Sequence, residues 1–398
     1  MKRFSKKVAI VSHILPPATA GTAMRLYRLL RDIHPDDYCL LTCRDYESEG
    51  GGDSHGRLPA KHYRLPSEVW QIRLPTVFGL ASFFNAITLL PRIYQRSRNI
   101  TRIVKDERCN AIMAFSGDLI DLPAGYLASL KCRVAFYAEI DDYYSYQWPS
   151  FLSRCFAKFV EPIILKGAVR VVVLNDFLRD EYQRRYHINP IVIYNPCEYS
   201  SGLREDSQEA LSKSEIAIVY TGSIYHANYD AFKNLIYALR LIGRSDIKLH
   251  LYTAQPHKSI EQSGIYGPVV FHGYLPPSKI PEVQARADVL FLPLAFKSRI
   301  PEVIKTSAPF KMGEYLSSGR PILVHAPADC FLSWYFRTNQ CGIVVDKNDP
   351  KLLAEEINRL ISDRELQRKL SEKAREAAVR DFSIDKMQAN FLGLLKLV

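Results

Sequence analysis

Short apolar runs recur along the chain, and polar loop residues follow each run. Residues 8–11 form the first run, and Leu26, Leu29 and Leu30 follow at helical spacing. Similar runs occur in the first half at 110–115, 133–138 and 170–174. A continuous apolar run with polar ends is typical of a strand buried on both faces of a parallel sheet. The pattern therefore predicts strands that alternate with helices in an α/β fold.

A second series of the same kind begins after a polar stretch. Residues 197–215 are rich in Ser, Glu, Asp and Lys and have little apolar periodicity, as interdomain linkers do. Further apolar runs then begin near 216, 248, 269, 289, 321 and 342. We predict an N-terminal Rossmann-like domain, a linker, a second Rossmann-like domain and a C-terminal helix that packs back on the first domain. Their predicted ranges are 1–200, 201–215, 216–381 and 382–398.

The composition agrees with two folded domains and excludes some classes of function. The chain has 398 residues, 47% of them hydrophobic and 24% charged, which is typical of a folded two-domain protein rather than a disordered or polytopic membrane chain. The net charge of +11 favours anionic partners. The excess is local, because residues 61–105 carry eight cations and one acid. No nucleic-acid-binding motif accompanies it, so we do not expect nucleic acid as a partner.

The eight cysteines form no metal-binding or disulfide pattern. The chain's first residues are basic and then apolar for only about five residues, which predicts a first strand rather than a signal peptide. We therefore expect a cytoplasmic protein with reduced thiols.

Residues 77–91 form an apolar segment with arginines on either side. Its 15 residues are fewer than the roughly 20 that span a bilayer. One interpretation is a helix in the membrane interface, with Arg92, Arg96, Arg98 and Arg102 near anionic headgroups. It makes residues 61–105 a candidate for peripheral attachment to the inner face of the plasma membrane. The alternative is a core helix followed by a solvated basic helix.

The stretch from Val303 to His325 contains the sharpest candidate site. Pro309 and Gly319 suit the first turn and the end of a helix over 310–318. Thr306, Ser307 and Lys311 are predicted at its N-terminus, where hydroxyls, free N–H groups and an ammonium could bind a diphosphate. Glu314 lies one turn further, where it could accept hydrogen bonds from a ribose diol. The alternative is that Lys311 and Glu314 form a solvated pair on a surface helix.

The first domain supplies candidates in loops that follow strands, where α/β sheets bind ligands. Gly21, with Thr22 beside it, opens a helix and could let backbone N–H groups approach a donor phosphate. Asp118, Asp142 and His13 are the candidate catalytic residues of the first domain. The carboxylates could orient or deprotonate a hydroxyl, or they could simply cap helices. His13 could touch a substrate or be an ordinary loop histidine.

The stretch Pro309-Phe-Lys-Met-Gly-Glu-Tyr-Leu-Ser-Ser-Gly-Arg-Pro-Ile-Leu resembles the nucleotide-sugar signature of GT-B glycosyltransferases, in particular the retaining family 4. Weaker matches occur in the family's order, including Tyr220-Thr-Gly-Ser-Ile and Val269-Val-Phe-His-Gly-Tyr-Leu. The resemblance implies two Rossmann-like domains facing each other across a cleft. It also implies that Gly222, Ser223 and Tyr274 contact the donor.

Two departures from the family pattern concern the sugar and phosphate contacts. Thr306 stands where the family has the first of two glutamates, and Ser223 stands where it has an arginine. Lys311, Lys305 or Arg299 could supply the missing positive charge. The chain has no Asp-x-Asp triplet, so we expect neither a metal nor another cofactor.

The predicted function is transfer of a sugar from a nucleoside-diphosphate sugar to a glycan or a lipid-linked acceptor, with retention, in surface polysaccharide or glycolipid assembly. The alternatives are a catalytically silent scaffold of the same fold and a nucleotide-sugar epimerase.

Overall fold

The computed structural model describes residues 1–44, 56–66, 88–198 and 215–396. The chain divides into two compact units. Unit 1 contains Met1–Pro196 and Ile384–Val398, and unit 2 contains Cys197–Ser383. The predicted linker, except for Glu215, lies outside the described residues. All eight cysteines are described, and all are free thiols.

Unit 1 is built on a parallel sheet of seven strands in the order β3-β2-β1-β4-β5-β6-β7. The strands are β1 (Val8–Val11), β2 (Tyr38–Thr42), β3 (Lys61–Arg64), β4 (Ala111–Phe115), β5 (Ala135–Ile140), β6 (Arg170–Val173) and β7 (Ile191–Val192). Strands β1, β2 and β4 are completely buried, as their continuous apolar runs predict.

Helices cover both faces of this sheet. The helices of unit 1 are α1 (Gly21–Leu30), α2 (Leu89–Asp106), α3 (Asp121–Cys132), α4 (Phe151–Gly167), α5 (Asp176–Tyr186) and the C-terminal α14 (Ile384–Lys396). Crossovers between parallel strands are almost always right-handed, so this strand order puts α1 on one face and α2, α3 and α4 on the other. Helix α2 packs against α3, and α3 packs against α4.

Helix α14 joins unit 1 although unit 2 precedes it in the chain. It packs against α1, and its Met387, Phe391 and Leu394 belong to the same apolar core as strand β1. The side chain of Gln388 donates a hydrogen bond of 2.9 Å to the carbonyl of Arg28. The prediction that the C-terminal helix packs back on the N-terminal domain is confirmed.

Unit 2 contains a second parallel sheet, of six strands in the order β10-β9-β8-β11-β12-β13. The strands are β8 (Ile216–Thr221), β9 (Ile247–Tyr252), β10 (Val269–His272), β11 (Val289–Pro293), β12 (Ile322–His325) and β13 (Ile343–Val345). The two parallel sheets confirm the predicted α/β class with two Rossmann-like domains.

The helices of unit 2 follow its strands in the same alternating manner. They are α6 (Tyr229–Ile242), α7 (His257–Gln262), α8 (Ile280–Ala285), α9 (Pro301–Thr306), α10 (Lys311–Ser318), α11 (Phe331–Asn339), α12 (Pro350–Ser362) and α13 (Arg364–Ala377). Helix α10 ends at Gly319, whose φ of 68° is the left-handed conformation that glycine adopts readily. The helix predicted over 310–318 therefore differs from α10 by one residue.

Candidate functional site

In unit 2, the strand order reverses between β8 and β11, and ligands in such sheets bind beyond the carboxyl ends of the strands at this point. Gly222 follows β8 directly and has a φ of 122°. Residues with a Cβ atom rarely adopt this backbone conformation. A Cβ atom at this position would lie 3.1 Å from Nζ of Lys311. The loop after β8 thus leaves room for the Lys311 ammonium at the start of α10.

A buried tyrosine fixes the position of that ammonium. Lys311 Nζ donates a hydrogen bond of 2.8 Å to Tyr220 Oη and lies 4.3 Å from the centre of the same ring. Tyr220 Oη in turn donates to the carbonyl of Ser223 at 2.7 Å. The sequence analysis singled out Lys311 but missed Tyr220, which closes the apolar run of β8 and reads simply as a core residue.

The Lys311 ammonium is half-buried and has no acidic neighbour in contact. Among the described residues, no carboxylate oxygen lies within the 4.0 Å of an ion pair with Nζ. Burial lowers the pKa of Lys311, whereas Tyr315 and Glu314 raise it. Burial also raises the pKa of Tyr220, and that of Tyr315 to about 12, so neither phenol is an anion at neutral pH. A positive charge held in this way is poised to receive an anion.

The backbone beside Lys311 is held by a second tyrosine. Tyr315 Oη accepts a hydrogen bond of 3.0 Å from the N–H of Thr221, and Gln284 donates to the Thr221 hydroxyl at 3.2 Å. These contacts link the end of β8 to α10 and to α8. The loop at Gly222 therefore has a rigid base.

Thr306 belongs to the helix before α10, and its contact with a diphosphate at the N-terminus of α10 stays a prediction. Thr306 is the last residue of the preceding helix α9, is buried, and donates its hydroxyl to the carbonyl of Glu302 at 3.1 Å. Ser307 follows α9 in extended conformation and is half-buried. Glu314 lies half-buried in the first turn of α10, one turn from Lys311, as expected.

The remaining predicted donor residues of unit 2 lie on exposed loops. Ser223 is exposed beside Gly222, and its carbonyl serves Tyr220. Tyr274 follows β10 and has 57% of its surface exposed. Both stand beyond carboxyl ends of the sheet, and their contact with a donor stays a prediction.

A cleft of about 320 Å³ lies beyond β11 and β12, along the same edge of the sheet. Its charged and polar lining comes from Ser298, Glu302, Lys305 and Asp329. Glu302 lies one helical turn before Thr306, the position where the family has its first glutamate. An acid therefore faces this cleft although Thr306 itself is not acidic. The sequence analysis missed Glu302, because it compared only the signature position.

In unit 1, the strand order reverses between β1 and β4. His13 follows β1, and Gly117 follows β4. A Cβ atom on Gly117 would lie 1.9 Å from Cε1 of His13, so the imidazole occupies the space that this glycine leaves open. His13 is thus packed at the position where a ligand of unit 1 would bind.

The loop after β5 brings two carboxylates to the same region. Asp141 accepts a hydrogen bond of 2.8 Å from the Thr22 hydroxyl, and its N–H donates to Ser116 Oγ at 3.0 Å. The predicted donor residue Thr22, at the start of α1 beside Gly21, therefore contacts an acid of unit 1. Burial raises the pKa of neighbouring Asp142 to about 6, and the charge of Asp141 adds to this effect. A carboxylate with such a pKa can accept a proton near neutral pH.

An ion pair inside unit 1 supports this loop. Arg25 on α1 binds Glu139 at the end of β5, and both side chains are almost completely buried. Arg25 also donates to the carbonyls of Ile193 at 2.8 Å and Tyr194 at 3.0 Å. Burial raises the pKa of Glu139 to about 7, against the opposing charge of Arg25. The pair joins α1, β5 and the segment after β7.

Asp118 is engaged in structural contacts. Its Oδ1 accepts hydrogen bonds from the N–H groups of Ile120 at 2.9 Å and Asp121 at 2.5 Å, and its Oδ2 binds Arg96. Burial opposes ionisation here, but the Arg96 charge and the N–H donors hold the pKa of Asp118 below its usual value. Asp118 therefore binds the start of α3, as the helix-capping alternative stated above expects. Among the described residues, Asp142 makes no such contact with a helix start.

Most of the predicted membrane helix over 77–91, namely residues 77–87, lies outside the described residues. The prediction that Arg92 and Arg96 reach headgroups is wrong, because both are buried on the inner face of α2. Arg96 is held by Asp118 and by Asp121 at 2.5 Å.

Within the described ranges, no helix is long and apolar enough to cross a bilayer, and no group of three His, Cys, Asp or Glu residues is placed to hold a metal.

Known structures share this fold. A glycosyltransferase from Rickettsia africae is 16% identical, with a TM-score of 0.66 over 99% of this chain and 98% of that one. Anabaena HepE, solved with UDP-glucose, is 15% identical, with a TM-score of 0.69 over 99% and 100%. WaaG, a glycosyltransferase involved in lipopolysaccharide biosynthesis, is 15% identical, with a TM-score of 0.64 over 98% and 100%.

A protein-family model matches most of unit 2 by sequence. The model described as Glycosyl transferases group 1 matches residues 215–363, which include β8, Gly222 and the whole of α10. No curated protein matches the chain. The chain therefore has the GT-B fold of these solved glycosyltransferases, and its residues 215–363 match the Glycosyl transferases group 1 domain.

Proposed function

We propose that the protein transfers a sugar from a nucleoside-diphosphate sugar, bound by unit 2, to a hydroxyl of a glycan or lipid-linked acceptor, bound by unit 1. The proposal includes retention of the anomeric configuration and needs no metal. It also includes a role in surface polysaccharide or glycolipid assembly. HepE, solved with UDP-glucose, supports the donor class, and WaaG, which is involved in lipopolysaccharide biosynthesis, supports the pathway class.

The observation that carries the proposal is the half-buried Lys311 ammonium, which contacts Tyr220 but no carboxylate among the described side chains. Negative charge develops on the departing diphosphate as the bond from the sugar to the phosphate breaks. A preorganised cation and the N-terminal N–H groups of α10 stabilise this charge more than they stabilise the bound donor. The site can therefore lower the barrier without a metal ion.

On the acceptor side, we assign Asp142 to the acceptor hydroxyl, which it would orient and whose proton it would accept. Its pKa of about 6 leaves it ionised at pH 7 and still basic enough for this role. His13, packed on Gly117, would border the same ligand. Asp118 has no place in this scheme, because Arg96 and two N–H groups already occupy its carboxylate.

The test is ligand-observed NMR with UDP-, GDP-, ADP- and TDP-sugars. We expect one UDP-sugar to bind, and Lys311→Ala to weaken its binding about tenfold or more, because a charge-assisted contact contributes about 1.5–3 kcal/mol. Glu314→Gln should also weaken binding, since the amide has one acceptor oxygen and no charge, whereas the carboxylate can accept from both hydroxyls of a ribose diol. Lys347→Ala is the matched control, because this exposed lysine lies far along the chain from α10.

A second candidate, a catalytically silent scaffold, is favoured by one observation: Thr306 turns its hydroxyl to the backbone of α9 where the family has an acid. Turnover separates the two. Glu314→Gln removes turnover from an enzyme, whereas a scaffold consumes no donor with any acceptor. Failure of every nucleotide sugar to bind would contradict the transferase proposal.

A further inference from the structure

Exposed large apolar side chains of unit 1 are concentrated on three adjacent helices. Among the residues of this unit that the structure describes, Met1 is the one that lies elsewhere. The others are Leu90 and Tyr94 on α2, Leu127 and Leu130 on α3, and Phe151, Leu152, Phe159 and Ile163 on α4. Because scattered apolar residues are normal on a surface and contiguous ones are not, this concentration requires an explanation.

The outer face of α4 carries the densest part of this surface. Phe151, Cys155, Phe159 and Ile163 are exposed and follow one another at four-residue spacing, so they form a ridge along one side of the helix. Phe151 has 74% and Phe159 has 71% of its surface exposed. The ridge is not part of the apolar core of unit 1.

The same three helices are positively charged on the outside. Their exposed cations are Arg98, Arg102, Lys105, Lys131, Lys158 and Lys166. Their acids are Asp106, Asp121 and Glu161, of which Asp121 and Glu161 are buried. Lys131 Nζ on α3 lies 4.2 Å from the centre of the Tyr94 ring on α2, so basic and apolar groups are interleaved.

We propose that α2, α3 and α4 together form a surface that binds the interface of a bilayer containing anionic phospholipid. The aromatic and aliphatic side chains would enter the boundary between headgroups and acyl chains, and the lysines and arginines would contact lipid phosphates. Two of the arginines predicted for this role are buried, and α4, which the sequence analysis did not consider, supplies half of the exposed large apolar side chains.

Charge favours a membrane over a second copy of the chain as the occupant. In a symmetric dimer the same patch faces itself, so six exposed cations would meet six others with few acids to offset them. An anionic bilayer complements both the apolar ridge and the cations. The proposal does not depend on which sugar or acceptor the protein uses.

The test is co-sedimentation of the full chain with vesicles of phosphatidylcholine alone and of phosphatidylcholine mixed with phosphatidylglycerol. We expect the chain to pellet with the anionic vesicles at low salt, to pellet less at high salt, and to stay in the supernatant with the neutral vesicles. The double substitution Phe159→Ser with Ile163→Ser should weaken binding about tenfold or more, since it removes apolar area from the ridge. Lys158→Glu with Lys166→Glu should weaken it comparably.

The matched control is Tyr237→Ser, which removes a side chain that is similarly exposed but lies on α6 of unit 2. This variant should pellet as the parent does. All of the substituted residues are exposed, so thermal unfolding should be nearly unchanged. The proposal is overturned if the parent stays in the supernatant with anionic vesicles, or if the α4 variants pellet as the parent does. A dimer in analytical ultracentrifugation that the Phe159 and Ile163 substitutions dissociate, without vesicle binding by the parent, would instead identify a second copy as the partner.

Discussion

At the scale of single residues, ionisable groups in unit 1 differ sharply in what surrounds them. The carboxylate of Asp118 binds Arg96 and N–H donors. Burial and the charge of Asp141 instead raise the pKa of Asp142 to about 6. Two carboxylates in comparable places after strands thus have different capacities. The first holds a helix end, and the second can take up a proton.

For Asp142 we expect Asp142→Asn to lower kcat by about 10²-fold or more, because a positioned base contributes on that order. In the parent, kcat/KM should fall as the pH drops below about 6, since the protonated carboxyl cannot accept a proton. A pH–rate profile with the donor that NMR identifies checks both points. Asp118→Asn should keep the profile of the parent in shape, and a flat acid limb in the parent would contradict the role of Asp142.

Glu107 provides a prediction about stability. Hydrogen bonds from Lys61, Lys7 and Tyr63 lower the pKa of Glu107 to about 2. The unfolded chain therefore takes up this proton near pH 4.5 and the native protein only near pH 2, so the stabilisation is complete above pH 4.5 and is lost as the pH falls toward 2. Because Lys61 is largely exposed, we expect Glu107→Gln to cost about 1–2 kcal/mol at pH 7.

Urea unfolding of the parent and of Glu107→Gln between pH 7 and pH 3 checks this prediction. The two unfolding free energies should converge as the solution becomes more acidic. A difference that stays constant with pH would mean that packing, rather than charge, accounts for the effect.

At the scale of elements, the ion pairs of α2 explain why a basic helix has a buried face. Arg96→Ala would leave Asp121 buried without its cation and should cost about 3–5 kcal/mol. Arg98, two residues later on the same helix, is exposed, so Arg98→Ala should change stability by less than about 0.5 kcal/mol. Chemical denaturation of both variants measures the difference, and equal effects would refute the assignment of Arg96 as the buried partner.

The elements that the sequence predicts well are those whose signals are local. Pro309 and Gly319 define α10 to within one residue, and the buried strands appear as apolar runs. Arg96 could not be placed, because its partners lie more than twenty residues further on and a charged residue is ordinarily solvent-facing. Strand β3 was missed because its four residues, Lys61–Arg64, contain no apolar run. The helix that ends at Thr306 was not predicted, because no local signal indicated that end.

The same limit applies to α4. Its apolar residues suggest a core helix by composition, yet several of the largest face outward. Only the packing of α3 and the sheet decides which side of α4 is covered. The candidate site was therefore predictable where one helix carries it, as with Lys311 and Glu314, and unpredictable where distant segments meet, as at Tyr220 and Glu302.

At the scale of the whole molecule, the C-terminal helix belongs to a unit from which almost two hundred residues separate it. Phe391 on α14 is completely buried in the core of unit 1. Phe391→Ala should therefore destabilise unit 1 by about 3–5 kcal/mol through the cavity that it leaves. Unit 2 has its own core, so its local stability should not change.

Hydrogen exchange followed by mass spectrometry distinguishes the two units. In Phe391→Ala, peptides from β1, β2 and α1 should lose protection, whereas peptides from β8, β9 and α6 should exchange as in the parent. The UDP-sugar signal in NMR should persist, because Lys311 and Tyr220 belong to unit 2. Asp385→Asn, at an exposed position on the same helix, is the control and should leave both units unchanged. Equal loss of protection in both units would show that they unfold as one cooperative body, and the donor site would then depend on a residue that belongs to the other unit.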